Sequence, residues 1–152
     1  MFGLDIGSQT VKVMQLEIRK NKAIVKAYGS IDSDAAIMKD GVISNVPAAA
    51  KAIDGLLANQ LTGSLSTNRV VMGVPVSHVF TRVLTLPTMS RHELDNAIQL
   101  EVEQSVPVPS KNLYYDYETT DIGDPENLLV RMVAVPRTIV DSYTAVCDLL
   151  GL

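Results

Sequence analysis

A chain of 152 residues with 47% hydrophobic side chains and no tryptophan holds enough apolar material for one domain or two small subdomains, which excludes a peptide or a disordered linker. Its 17 acidic residues outnumber 13 basic ones, and the basic residues never cluster, so the electrostatic footprint of a nucleic-acid binder is absent. Cys147 is the only cysteine, which excludes a disulfide framework and fits a reducing cytosol, and no apolar run approaches membrane-spanning length.

Alternation predicts strands at 2–6, 10–18 and 22–31. In the second, Val11, Val13 and Leu16 are set inward against Lys12, Gln15 and Glu17; in the third, Ala23, Val25, Ala27 and Gly29 share a face. After a loop rich in Asp and Ser, Ala49, Ile53, Leu56, Leu57 and Leu61 recur at helical spacing behind Pro47, a residue the first helical turn tolerates. "LTGSLSTN" is a turn cluster, and "RVVMGVPV" reads as a buried strand ended by Gly73 and Pro75.

From Ser77 the pattern changes. Val79, Thr81, Val83 and Thr85 form a two-period strand that stops at Leu86-Pro87. Ser90 to Glu93 has the residues of a capping box, and Leu94, Ala97, Ile98 and Val102 follow as a helical stripe. "NLYYDYETT" alternates, "DIGDPEN" is a turn, and "LLVRMVAV" is an apolar strand, so this region reads strand, helix, strand, strand. Finally Ile139, Val140, Tyr143, Val146, Leu149 and Leu150 recur at helical spacing up to Gly151, a helix-capping residue.

Asp5, Gly7, Ser8, Gln9, Thr10 and Lys12 are the chemically suggestive cluster. A tight turn presents backbone N–H groups in an arc, glycine admits close approach, and hydroxyls add donors, which are the parts of a phosphate cradle. Asp5 could hold magnesium through its waters, and Lys12 could neutralise phosphate. The same residues also suit an ordinary hairpin. A second "DIGD", Asp121 to Asp124, is followed by Pro125 and Glu126, whose negative surroundings suit a hairpin turn and not a second phosphate loop. His78 and His92 lack partners at metal-ligand spacing, Glu101 and Glu103 lie on different helix faces, and no catalytic dyad emerges.

The order of these pieces resembles the first lobe of the actin-like ATPases, in the arrangement shared by FtsA-type division proteins and PilM-type pilus proteins. "GLDIGSQTVKVMQLE" resembles the opening motif of the PilM-type family. "RVLTLPTMSRHELDNAIQLEVEQSVPVPSKNLYYDYE" resembles its insert, with Val108 standing where the family usually has an aromatic, and "VAVPRTIVDSYTAVCDLLGL" resembles the return into the core. The implied fold is α/β, the N-terminal lobe of the actin-like (ribonuclease H-like) fold: core subdomain 1A at 1–76, an inserted strand-helix-strand-strand subdomain 1C at 77–135, and a returning helix at 136–152.

The resemblance further implies a cytoplasmic scaffold, held at the inner membrane by capturing the N-terminal tail of PilN in a groove between insert and core, with other pilus platform proteins as partners. Val79, Thr81, Val83 and Val102 are the groove candidates. By position, Asp5 would be the magnesium-side carboxylate, Gly7 to Thr10 the first phosphate loop and Lys12 its lysine, serving ATP and magnesium in the full-length family. The second lobe and its phosphate loop are missing here, so the chain reads as truncated, binding no nucleotide tightly and hydrolysing none. On the same reasoning, Ile139 and Tyr143 should form a raw apolar edge that drives homo-oligomerisation. An FtsA-like division adaptor and the lobe of an actin-fold ATPase or kinase are the alternatives.

Overall fold

β1 (Phe2–Ile6) and β2 (Thr10–Arg19) pair antiparallel because only Gly7, Ser8 and Gln9 separate the two alternating runs. β3 (Lys22–Asp32) follows across a two-residue turn in which Lys20 and Asn21 both take positive φ, 47° and 60°, the geometry whose twist matches flanking strands. The structure is a computed structural model and describes residues 1–34 and 36–152, with the backbone alone for Asp121.

Residues 1–75 and 141–152 form one unit, and 76–140 form another. In the first, a five-stranded sheet is ordered β6-β3-β2-β1-β7, with β6 (Thr62–Gly63) on the β3 edge and β7 (Val70–Met72) parallel to β1. Between β3 and β6 come a small hairpin, β4 (Met38–Lys39) and β5 (Val42–Ile43), and α1 (Val46–Asn59). The Asp-rich loop of the sequence reading thus contains a hairpin, turned by Asp40 and Gly41 at φ 51° and 77°; Asp-Gly is the strongest short hairpin signal, but strands of two residues leave no alternation to read. Asn45 caps α1 by accepting from Ala48 N at 3.1 Å, and Pro47 sits in the first turn.

One face of this sheet is buried through Phe2, Leu4, Ile6, Val11, Val13 and Ala27. Strict period two places Gln15, not Leu16, on that face, so the inward set expected for β2 is corrected at its end. Gln15 is 6% exposed and satisfied by a reciprocal pair with Ser66: its Nε2 donates to the hydroxyl at 2.9 Å and its Oε1 accepts from the amide N at 2.9 Å. Leu16 is 48% exposed on the opposite face, beside Met14, Val25, Tyr28 and Val71. The strand expected to be buried at "RVVMGVPV" is therefore a three-residue edge strand, half open, with Val71 on the uncovered side.

In the second unit, β8 (Phe80–Pro87), β10 (Asn127–Pro136) and β9 (Leu113–Asp121) form an antiparallel sheet in that spatial order. α2 (Arg91–Ser105) buries Leu94, Ile98 and Val102 against Val130, Met132 and Ala134, one stripe at four-residue steps meeting one strand at two-residue steps. Polar contacts pin the helix to both edge strands: Arg82 Nη1 donates to Glu101 Oε1 at 2.8 Å, and the Tyr117 hydroxyl donates to Asp95 Oδ1 at 2.6 Å. The Asp95 hydrogen bond, then burial, raises the Tyr117 pKa.

The capping box forms in full, with Glu93 N donating to Ser90 Oγ and Ser90 N donating to Glu93 Oε2 at 2.9 Å. Ser90→Ala should cost about 1 kcal/mol, read as a lower denaturation midpoint. The Ser90 hydroxyl and then its amide hold the Glu93 carboxyl below its ordinary value of 4.5. A depressed folded pKa stabilises fully above the unfolded value and is lost as pH falls through the folded one. The Tm gap between wild type and Glu93→Gln should therefore be present at neutral pH and close on acidification below 4.5.

α3 (Arg137–Leu150) begins in the second unit and ends in the first. Gly151, at φ 70°, closes it with Gly151 N donating to Asp148 O and Leu152 N to Cys147 O, the two bonds of a Schellman motif. The raw edge expected here is not found: Ile139 is 3% and Tyr143 2% exposed, because both already face the interior. Uncovered apolar surface lies instead on the open sheet face around Met14, Leu16 and Tyr28.

Candidate functional site

The β1–β2 turn brings Asp5, Gly7, Ser8, Gln9, Thr10 and Lys12 to one end of the first unit's sheet. Gly7 N donates to Thr10 O at 2.9 Å, and Ser33 N donates to Gln9 O at 2.8 Å, tying the turn to the end of β3. A Cβ at position 7 would lie 3.0 Å from the Thr10 carbonyl oxygen, so glycine is what lets the turn close this tightly. Ser8 and Gln9 remain exposed. Asp5 and Lys12 stand opposite each other in register, with Nζ 3.7 Å from Oδ2. Both are well solvated, so the pair is worth at most about 1 kcal/mol and an anion could draw Lys12 away cheaply.

Asp5 would be a single carboxylate toward a metal: among the described residues no three His, Cys, Asp or Glu side chains converge on one. The remaining ligands would have to be water and phosphate oxygen, which suits a cation arriving with nucleotide. The second Asp-Ile-Gly stretch cannot supply a further phosphate loop. Gly123 turns the β9–β10 hairpin at φ 76°, and Asp124 accepts from Asn127 Nδ2 at 2.7 Å and Glu126 N at 2.9 Å. Those bonds, Asn127 first, lower the Asp124 pKa and hold a negative charge where an anion would sit.

In the second unit, Thr81 and Val83 lie on the sheet face opposite α2, since register puts them beside Val133 and Arg131, and Val79 joins them just before β8. Val79 and Thr81 line a concavity of about 380 Å³ with Asp116, Tyr117, Glu118, Arg131 and Val133. Val102 does not belong to this surface. It is fully buried under the other face of the sheet, because a helical stripe residue at the centre of α2 points into the core. Asp116, Glu118, Arg131 and Val133 escaped the sequence reading, although the register of the short-turned β9–β10 hairpin is the signal that pairs them. Arg131 and Glu118 form an ion pair across that register, while Asp116 Oδ1 accepts from the Tyr117 amide at 2.8 Å.

A sheet entered by a glycine turn with an Asp and a Lys at its mouth, interrupted after β7 by an inserted α/β unit, defines the first lobe of an actin-like α/β fold. The chain matches the family "Type IV pilus assembly protein PilM" over residues 3–152 and belongs to it. The chain solved in the "PilM-PilN type IV pilus biogenesis complex" superposes with a TM-score of 0.86 at 22% identity, over 99% of this chain and 44% of that one. The cytoplasmic domain of EpsL, an inner membrane component of the type II secretion system of Vibrio cholerae, superposes at 0.59 with 10% identity, over 99% and 53%. A type II secretion system protein L of Xanthomonas campestris pv. campestris is 27% identical over 73 residues, 48% of this chain and 20% of that protein. The chain thus spans about half the length of these solved relatives, or less. No helix among the described residues is long and apolar enough to cross a membrane.

Proposed function

We propose that the chain acts as a scaffold lobe in the inner-membrane platform of a type IV pilus or related secretion system, by binding the N-terminal tail of a PilN-like protein. Membership of the PilM family across residues 3–152 carries the reading, and likeness to the chain solved with PilN supports it. Binding an extended tail needs apolar pockets and a few fixed polar groups but no chemistry. The open face of the second unit's sheet, through Val79, Thr81 and Val83, has that make-up. Association with the membrane would then be peripheral, through the partner.

The turn at Asp5 is the ancestral phosphate loop in this reading. Ser8, Gln9, Thr10 and Lys12 would contact phosphate, and Asp5 would hold magnesium through water. ATP supplies a bridging triphosphate when bound; tight binding and in-line attack need donors on both sides of it and a positioned water. One turn contributes one side.

Calorimetry of the chain tests both parts. Titration with the cytoplasmic tail peptide of a cognate PilN-like protein should give saturable binding, and absence of heat and of pull-down would overturn the scaffold reading. Titration with magnesium-ATP should give weak binding at best; turnover above that of Asp5→Ala would overturn the non-catalytic reading.

A further inference from the structure

The net charge of this chain is carried entirely by one unit. Residues 76–140 hold five Lys and Arg against nine Asp and Glu, a balance of −4, which equals the charge of the whole chain; the first unit holds eight of each. Several of the second unit's carboxylates are engaged within it: Glu93 in the cap, Asp95 with Tyr117, Glu101 with Arg82, Glu118 with Arg131 and Asp124 in its turn. The Asp116 carboxylate receives a hydrogen bond from the neighbouring amide and, like those of Glu93, Asp95 and Asp124, meets no cation within ion-pair distance among the described residues; unlike those three it lines the concavity on the open sheet face.

Asp116 stands at the wall of the 380 Å³ concavity on the open sheet face, in register with Val133 and so in one row with Thr81. The floor beside it is apolar, from Val79 and Val133, and the next row is closed by the Arg131–Glu118 pair. This is a socket for a short segment that places a cationic side chain next to an apolar one. We infer that the second unit selects its peptide electrostatically, with Asp116 pairing a Lys or Arg of the tail while an adjacent apolar side chain enters between Val79 and Val133.

The inference rests on the scaffold reading and names the chemistry of its ligand. A cytoplasmic tail leading into a membrane-spanning helix is the kind of segment that carries an excess of Lys and Arg close to the membrane. An acidic face opposite such a tail steers encounter and rejects acidic segments, which would bring like charge against the Asp116 row.

The probe is the tail peptide of the cognate PilN-like protein, with a version in which every Lys and Arg is replaced by Gln. Asp116 is exposed, so Asp116→Asn should keep the wild-type melting curve. It should weaken binding of the native tail about fivefold, the value of one exposed charge pair, and leave binding of the Gln version unchanged. Raising salt from about 50 to about 500 mM should weaken the native tail and spare the Gln version. Equal affinity of wild type and Asp116→Asn for the native tail overturns the inference and leaves the scaffold reading standing. Failure of wild type to bind the native tail overturns both.

Discussion

Ile98→Asp is expected to unfold the second unit at temperatures where the wild type is folded. Ile98 is fully buried at the centre of the α2 stripe, between Leu94 and Val102, and faces Val130, Met132 and Ala134. The cluster around it is apolar, and the nearby donors at its edges, the Tyr117 hydroxyl and the Arg82 guanidinium, are already engaged with Asp95 and Glu101, so the carboxylate must either stay charged in an apolar medium or bind a proton at the expense of stability. The lost packing adds to this, and the total should reach about 3–5 kcal/mol, a large part of a small domain's stability. Leu100→Asp is the matched control on the same helix. Leu100 is 55% exposed, and its replacement should stay within about 0.5 kcal/mol. Urea titrations followed by circular dichroism decide it: equal midpoints for the two variants would mean that α2 is rotated on its sheet.

Tyr143 carries the second large effect, and there the ring and the hydroxyl should act in opposite directions. The side chain is 2% exposed, and its hydroxyl has no hydrogen-bond partner among the described residues. Tyr143→Ala should cost about 3–5 kcal/mol through the cavity left by the ring. Tyr143→Phe keeps the ring and removes a buried polar group, so it should be neutral or stabilising by up to about 1 kcal/mol. Burial first, and then the charge of Asp5, raises the Tyr143 pKa above its ordinary 10.0. With the folded value raised, stability is intact below the unfolded pKa and falls as pH climbs from 10.0 toward the folded value. Tyr143→Phe should remove that alkaline loss. A strongly destabilised Phe variant would show that the hydroxyl holds an ordered water or a partner of its own.

Much of the fold was readable because local rules and tertiary packing agree. The capping box, the period-2 strands and the i, i+4 stripe of α2 each satisfy a local and a global demand at once. The reading failed where an apolar residue faces outward or a polar one inward. Leu16 and Gln15 exchanged their expected places because the strand's alternation is set by its pleat, and Ser66, 51 residues away, supplies the partners that make a buried amide affordable. Val102 was misassigned to a binding surface for a related reason: sequence shows that a residue is apolar, and only packing shows which side of a sheet covers it.

For the site, the division follows the range of the interactions. The residues of the Asp5 turn are adjacent in sequence, so a hairpin of three connecting residues brings Asp5 and Lys12 face to face without help from the rest of the chain, and the motif was legible as written. Family and α/β class were likewise carried by sequence. The open face of the second unit depended on tertiary structure: Val79 and Thr81 meet Asp116, Arg131 and Val133 only when β10 inserts between β8 and β9. That strand order places Thr81, Asp116 and Val133 in one row although Thr81 is 35 positions from Asp116 and 52 from Val133, and it is chosen by burying Val130, Met132 and Ala134 under α2, which turns Arg131 and Val133 to the opposite side.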